Sequence, residues 1–187
     1  MGFDREYVLA VIEDTGDGEY ASTDRFLKEE MPEDAPQELK DLVEQNGTVV
    51  GIDYVDLGED GHDAYGLFSF LPEDPGDPCA HLAVVITLTN RLSPAGMTAL
   101  YQLLNRINLH IPEGAYIISE DETTLVYRND IQIPKELDND GASKVVAVRL
   151  IRTIALVTEW IDGLMGYNDG TYSLEECMER TKMTSEV

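Results

Sequence analysis

Positively charged side chains are scarce in this chain of 187 residues, which has 13 Lys and Arg against 37 Asp and Glu. The net charge of −24 excludes nucleic acid and anionic lipid as partners, because such contacts need Lys and Arg to replace the counterions of phosphate. Long hydrophobic runs are also missing. No stretch approaches the roughly 18 consecutive apolar residues that indicate a transmembrane helix, so we predict no contact with a membrane.

Cysteine is rare as well. Only Cys79 and Cys177 occur, and they form no Cys-x-x-Cys motif. We interpret them as two reduced thiols, with a single long-range disulfide as the alternative. The N-terminus lacks a basic and apolar secretion signal, and Glu6 stands where a myristoylation motif needs Ser or Thr. These features predict a cytoplasmic protein.

Catalytic and cofactor motifs are missing too. The sequence contains no P-loop, no dinucleotide-binding glycine motif and no nucleophile elbow. Its histidines show no metal-ligand spacing, and its acidic turns do not fit the EF-hand pattern; the histidines are His62, His81 and His110. We therefore predict no catalytic residue, no metal ion and no cofactor, and expect His110 to be a helix-capping or surface residue.

One alternative is an enzyme or metal-binding protein whose ligands meet only in the folded chain. The acidic stretch after residue 52 supplies its candidate carboxylates, which are Asp53, Asp56, Asp60 and Asp63. Carboxylate oxygens suit hard cations and general acid–base chemistry alike. Nothing in their spacing selects either role.

The acidic charge is unevenly distributed. Residues 1–90 carry 22 acids and 4 bases, a charge of −18, whereas residues 91–187 carry 15 acids and 9 bases, a charge of −6. Three interpretations remain open: solubility, adaptation to a salty or acid-rich proteome, and complementarity to a basic protein partner.

The first 47 residues carry weak structural signals. "REYVLAVIED" fits a short helix or a strand, and its Val and Ile content slightly favours the strand, whereas "STDRFLKEEM" has Ser22 or Thr23 as a possible helix cap. "PQELKDLVEQNG" predicts a cleaner helix, with Pro36 in its first turn and Asn46-Gly47 at its end. We set residues 1–35 apart as an acidic extension and assign residues 36–187 to one domain with a short C-terminal helix.

Clear strand and helix patterns follow. Strands are predicted over 48–57, 64–71 and 80–90, and a hairpin over 115–134. A helix with Ser93 as N-cap and Pro94 as first residue precedes the hairpin, and a helix from about Ala142 to Met165 follows it. Ser173 and Glu176 form a capping box for the last helix. Short connections favour antiparallel pairing, so we predict an α+β fold with an antiparallel sheet of about five strands.

The segment "LLNRINLHIPEGAYIISEDETTLVYRNDIQIP" is the most organised part of the chain. Asn105 and Asn108 lie near a helix end, where an amide can satisfy unpaired backbone groups. Pro112 stops the helix, and Gly114 allows a backbone geometry that other residues resist. We interpret the segment as a structural junction that turns a helix back onto a sheet, with ligand binding by the two asparagines as the alternative.

This segment resembles the central part of YbjN-domain proteins. The matching residues are Asn105, Asn108, Ile111, Pro112, Gly114 and Tyr116. The resemblance covers roughly residues 36–165 and implies a type III secretion chaperone-like fold, often dimeric, with no established enzymatic activity. It supplies no catalytic residues.

These features predict a non-enzymatic protein-interaction module with a chaperone-like or regulatory role. The helix from Ala142 to Met165 is apolar around more than half its circumference, so a second face needs a cover besides the sheet. We predict that this face contacts protein, through Val145, Val148, Ile151, Ala155 and Trp160. A homodimer through this helix, or through its neighbour at Met97 to Ile107, is expected, although the N-terminal "YVLAVI" could cover part of the face in a monomer.

Overall fold

A six-stranded sheet and five α-helices make up the fold in the computed structural model, which describes residues 2–16, 18–93 and 96–183. The helices are α1 (Arg5–Gly16), α2 (Gln37–Asn46), α3 (Met97–Asn108), α4 (Asn139–Asn168) and α5 (Leu174–Met183). The strands are β1 (Ala21–Phe26), β2 (Val49–Leu57), β3 (His62–Phe70), β4 (Cys79–Thr89), β5 (Ala115–Ile118) and β6 (Leu125–Pro134). The α+β class is confirmed.

The strands run in the order β1-β2-β3-β4-β6-β5, and every neighbouring pair is antiparallel. The antiparallel sheet is therefore as predicted, with β1 as a sixth strand beside the expected five. Only the β4–β6 pairing joins strands that are not consecutive. The chain between them supplies α3 and the edge strand β5.

One face of the sheet carries the main core. Strand β4 alternates between buried and half-buried residues along its whole length, and its buried side chains are Ala80, Leu82, Val84, Ile86 and Leu88. Strands β2, β3, β5 and β6 and helices α1, α3, α4 and α5 contribute most of the other buried side chains of this core. Helix α2 lies on the opposite face, where the Nδ2 of Asn46 donates to the Oγ of Ser69 at 3.0 Å. That second face is otherwise only half covered.

In the N-terminal segment, the alternative that the sequence favoured for "REYVLAVIED" and the capped helix of "STDRFLKEEM" are both wrong. "REYVLAVIED" forms helix α1, because Val8, Leu9 and Ile12 recur at helical spacing and are buried against the sheet. "STDRFLKEEM" begins with strand β1 rather than a capped helix, since residues 21–26 pair with β2. Arg25 ties the two elements together by donating from Nη1 to the Oε2 of Glu13 at 2.9 Å. Helix α1 and strand β1, which belong to the predicted extension, thus contribute to the core and to the sheet, respectively.

Some of the predicted helix caps are found in the structure, and one is not. Helix α2 ends at Gly47, whose φ of 84° is left-handed, and Ser173 exchanges hydrogen bonds with Glu176 as a capping box. Ser93 is not the N-cap of α3, because that helix begins after Gly96; the backbone N–H of Ser93 instead donates to the Oδ1 of Asn168 at 2.9 Å. Pro94 lies outside the described residues.

The two cysteines do not form a disulfide with each other. Cys79 is half-buried, whereas Cys177 is buried and its Sγ donates to the carbonyl oxygen of Gly163 at 3.2 Å. The alternative of a long-range disulfide is therefore not realised. None of the helices in the described part of the chain combines the length and the hydropathy that crossing a bilayer requires.

Candidate functional site

Helix α4 has two apolar faces, of which only one is covered. Val146, Val157 and Ile161 are buried in the core. On the other side, Val148 is 58 % exposed and Ile151 is 70 % exposed. Large aliphatic side chains at such exposure in one contiguous stripe are typical of a surface that contacts another molecule.

The other residues predicted for this surface take different positions. Ala155 is exposed and continues the stripe, whereas Val145 is half-buried at its edge. Trp160 is only 6 % exposed and packs in the core, so it does not belong to the surface. We name Val148, Ile151 and Ala155 the α4 stripe.

An apolar groove of about 320 Å³ adjoins the α4 stripe. Helices α1 and α4 form its walls. The two helices begin side by side, where the N–H of Asp4 donates to the Oδ1 of Asn139 at 2.7 Å. Strands β1 and β2 form its floor. The lining comprises Val11, Ile12, Thr15, Gly16, Ala21, Ile52, Tyr54, Val146, Ala147, Leu150, Ile151 and Ile154.

The sequence did not predict this groove, because its Val and Ile content favoured a strand for the segment that forms the α1 wall. The signal that could have identified α1 is the i, i+1, i+4 spacing of Val8, Leu9 and Ile12. Ile151 belongs both to the groove lining and to the α4 stripe, so the two features form one continuous apolar surface.

Helix α4 is also neutral in an otherwise acidic protein. Its thirty residues hold three bases and three acids, which are Lys144, Arg149, Arg152, Asp140, Glu159 and Asp162. Lys144 lies near one end of the α4 stripe and Glu159 near the other. Desolvation raises the pKa of the Glu159 carboxyl, which is consistent with apolar surroundings.

The candidate carboxylates of the β2–β3 region do not converge on one another. Across the described residues, one group of three His, Cys, Asp or Glu side chains brings its ligand atoms within 4.8 Å of each other. That group comprises Asp60, His62 and Asp162. Asp53, Asp56 and Asp63 are exposed and lie outside it.

Asp162 anchors this group from α4. It is only 7 % exposed, and its Oδ2 accepts from the backbone N–H of Glu59 at 2.9 Å while its Oδ1 accepts from that of Asp60 at 3.3 Å. A Cβ at Gly58 would lie 2.1 Å from the Oδ1 of Asp162, so glycine at position 58 is what lets the β2–β3 turn reach the carboxylate. Sequence reasoning missed Asp162 because it lies about 100 residues from the other two.

The predicted junction residues lie in the last turn of α3 and in the connection from α3 to β5. The Asn108 amide bonds the backbone of Tyr116 on β5, whereas Asn105 is exposed on α3. Pro112 is exposed in the connection, and Gly114 has a φ of 70°. A Cβ at Gly114 would lie 2.2 Å from the Oη of Tyr127. His110 lies in the same connection and is exposed, and its Nδ1 lies 2.8 Å from the carbonyl oxygen of Arg106.

No protein-family model matches this chain, and no curated protein matches it.

Proposed function

We propose that this protein is a non-enzymatic protein-interaction module that assembles through the α4 stripe and the groove beside it. The observation that carries the proposal is the exposure of Val148 and Ile151 on a helix of zero net charge. Burying such side chains on association is favourable in proportion to the apolar area removed from water. Membership of the YbjN-domain family, with its chaperone-like fold, is part of the same proposal.

The occupant we propose for the α4 stripe is a second copy of this chain. Two copies that each carry −24 repel one another, so a contact between them is favoured where the local charge is balanced. Helix α4 meets that condition. Salt screens the remaining repulsion beyond about 8 Å.

Charge complementarity sets the arrangement of the two α4 helices. An antiparallel pair centred between Ile151 and Arg152 brings Lys144 of one copy opposite Glu159 of the other. The same arrangement sets Val148 opposite Ala155. Because the pair is two-fold symmetric, each of these contacts occurs twice, and the aliphatic side chains at the centre can enter the neighbouring groove.

Such a dimer leaves the part of the acidic residues 1–90 that lies outside the groove available for a different protein. Their charge of −18 favours a basic partner through complementary potential, which speeds encounter and selects among partners. A chaperone-like or regulatory role in the cytoplasm, without catalysis, follows from this proposal.

Light scattering on the purified protein tests the proposal. At high protein concentration and moderate salt we expect a mass of twice 20.8 kDa. Replacing Ile151 with Asp should reduce the mass to that of one chain without unfolding the protein, because the side chain is 70 % exposed. Val55→Asp is the matched control, since Val55 is 42 % exposed on β2 and should leave the dimer intact. A wild-type mass near 20.8 kDa contradicts the proposal.

A further inference from the structure

The group of Asp60, His62 and Asp162 combines one imidazole with two carboxylates at the end of the sheet next to α4. Two of its members come from the β2–β3 connection and one from α4, so the fold, not a local motif, brings them together. The site lies outside the α4 stripe and the groove. A ligand at this site would therefore bind independently of the proposed assembly through α4.

One ring nitrogen of His62, Nε2, is buried without a hydrogen-bond partner among the described residues. The same atom lies 3.5 Å from the Oδ1 of Asp162. A buried nitrogen without a hydrogen bond is costly, and the cost disappears when the lone pair of the neutral ring binds a metal ion.

The two carboxylates are held in place by groups that are not ligands themselves. Backbone N–H groups of Glu59 and Asp60 hold Asp162, and the Oη of Tyr172 donates to the Oδ2 of Asp60 at 3.0 Å. Such outer contacts orient ligands and are a regular part of metal sites. The carboxylate of Asp60 retains its Oδ1 for a further contact.

The local charge favours a cation. Neither Asp60 nor Asp162 forms an ion pair with Lys or Arg within the described residues, and the only ion pair of Asp162 there is with His62. With a neutral imidazole the group carries two negative charges. The two backbone hydrogen bonds of Asp162 offset part of the cost of burying this carboxylate, and a bound cation would offset more of it.

We propose that Asp60, His62 and Asp162 bind a first-row transition-metal dication, with Zn²⁺ as the best match. At bonds of about 2.0–2.2 Å, two ligands of a tetrahedral Zn²⁺ lie about 3.4 Å apart. The 3.5 Å between His62 and Asp162 fits that separation. Asp60 is exposed on the turn and its ligand atom lies within 4.8 Å of those of His62 and Asp162, so a small local adjustment completes the set of three ligands, and water fills the remaining position.

Hard cations fit this site less well. Ca²⁺ takes six to eight oxygen ligands, and Mg²⁺ prefers an octahedron of oxygens with several waters. An imidazole nitrogen suits zinc and its neighbours. Zinc should therefore bind in the presence of a large excess of Mg²⁺, which also occupies the nonspecific sites that an acidic surface offers.

Equilibrium dialysis against Zn²⁺ with excess Mg²⁺ tests the site. We expect one Zn²⁺ per chain in the wild type, and binding weaker by at least about tenfold in both His62→Gln and Asp60→Asn. The matched controls are His110→Gln and Asp63→Asn, which change an exposed histidine and an exposed aspartate outside the group and should bind like the wild type. Co²⁺ in place of Zn²⁺ should give a visible absorption band that the two site variants lose.

Two outcomes overturn the proposal. One is the absence of stoichiometric Zn²⁺ binding to the folded wild-type protein. The other is equal binding by the wild type and Asp60→Asn, a variant that should fold normally because Asp60 is exposed. In either case His62 and Asp162 serve only to fix the β2–β3 turn to α4.

Discussion

The side chain of Asn108 binds the backbone of Tyr116 as a neighbouring strand would. Its Nδ2 donates to the carbonyl oxygen of Tyr116 at 2.9 Å, and its Oδ1 accepts from the N–H of Tyr116 at 2.8 Å. Tyr116 lies on β5, the edge strand whose one partner is β6. An unpaired edge invites association with other chains, so this amide both fixes α3 to the sheet and satisfies the middle of the exposed edge.

Replacing Asn108 with Ala should destabilise the protein by about 1–3 kcal/mol, because two backbone groups of a buried residue lose their partners. The free energy of unfolding from urea titration measures the change. Asn105→Ala is the matched control from the same helix, and we expect an effect within about 0.5 kcal/mol there, as for surface substitutions generally. Equal effects of the two variants would show that the amide of Asn108 has no special role.

Gly114→Ala should cost more than the conformational penalty of alanine in a left-handed backbone, which is about 1–2 kcal/mol. The φ at this glycine is 70°, and a Cβ would lie 2.2 Å from the Oη of Tyr127. That hydroxyl donates to the carbonyl oxygen of Glu113 at 2.9 Å, so it cannot move away freely. Gly170→Ala separates the two costs, because Gly170 has a φ of 76° and nothing within 4 Å of a Cβ. Urea titration should find Gly114→Ala the less stable variant.

Stability should depend on pH through His81. Hydrogen bonds to Asp130 and to Asp77 raise the pKa of the His81 imidazole, with Nδ1 2.7 Å from Asp130 and Nε2 2.9 Å from Asp77. A histidine whose pKa is raised in the folded state stabilises the protein when it is protonated. This contribution is complete below the ordinary histidine pKa of about 6.5, and it is lost as the pH rises through the folded-state pKa.

At low pH, Asp77 limits the stabilisation that His81 provides. Hydrogen bonds from the backbone N–H of Cys79 and from His81 lower the pKa of this carboxyl, so its stabilising effect is lost as the pH falls below the ordinary Asp range. We expect the difference in urea midpoint between the wild type and His81→Gln to be larger at pH 5.5 than at pH 8. His110→Gln is the control, and a difference that grows from pH 5.5 to pH 8 would contradict the assignment.

The sequence predicted the sheet from β2 to β6 well because those strands are bounded by Gly and Pro and alternate with period two. It failed at α1, where six consecutive apolar residues, Tyr7 to Ile12, obscure the helical period that Leu9 and Ile12 follow once they pack on the sheet. The exposed position of Ile151 followed from the helical period of α4. The burial of Trp160 did not, because it depends on which elements pack around that part of α4 in the folded chain.

The metal-binding candidates show the same limit. Asp60 was among the predicted carboxylates, but its neighbours in the fold are His62 and Asp162 rather than Asp53, Asp56 or Asp63. Charge and spacing along the chain gave no means of pairing Asp60 with a residue of α4. That pairing depends on how the β2–β3 turn reaches the helix, which is a property of the tertiary structure.

Charge exchange at Lys144 and Glu159 is the most direct test of assembly through α4. In the proposed antiparallel pair these residues face each other across the two-fold axis, whereas within one chain Lys144 bonds Asp140 at 2.6 Å. The dissociation constant of the dimer, from sedimentation equilibrium at low salt, should rise in Lys144→Glu and in Glu159→Lys, since each places like charges opposite one another. The double variant should recover the wild-type value. A wild type that sediments as a single chain, or a double variant no tighter than the two single variants, would contradict assembly through α4.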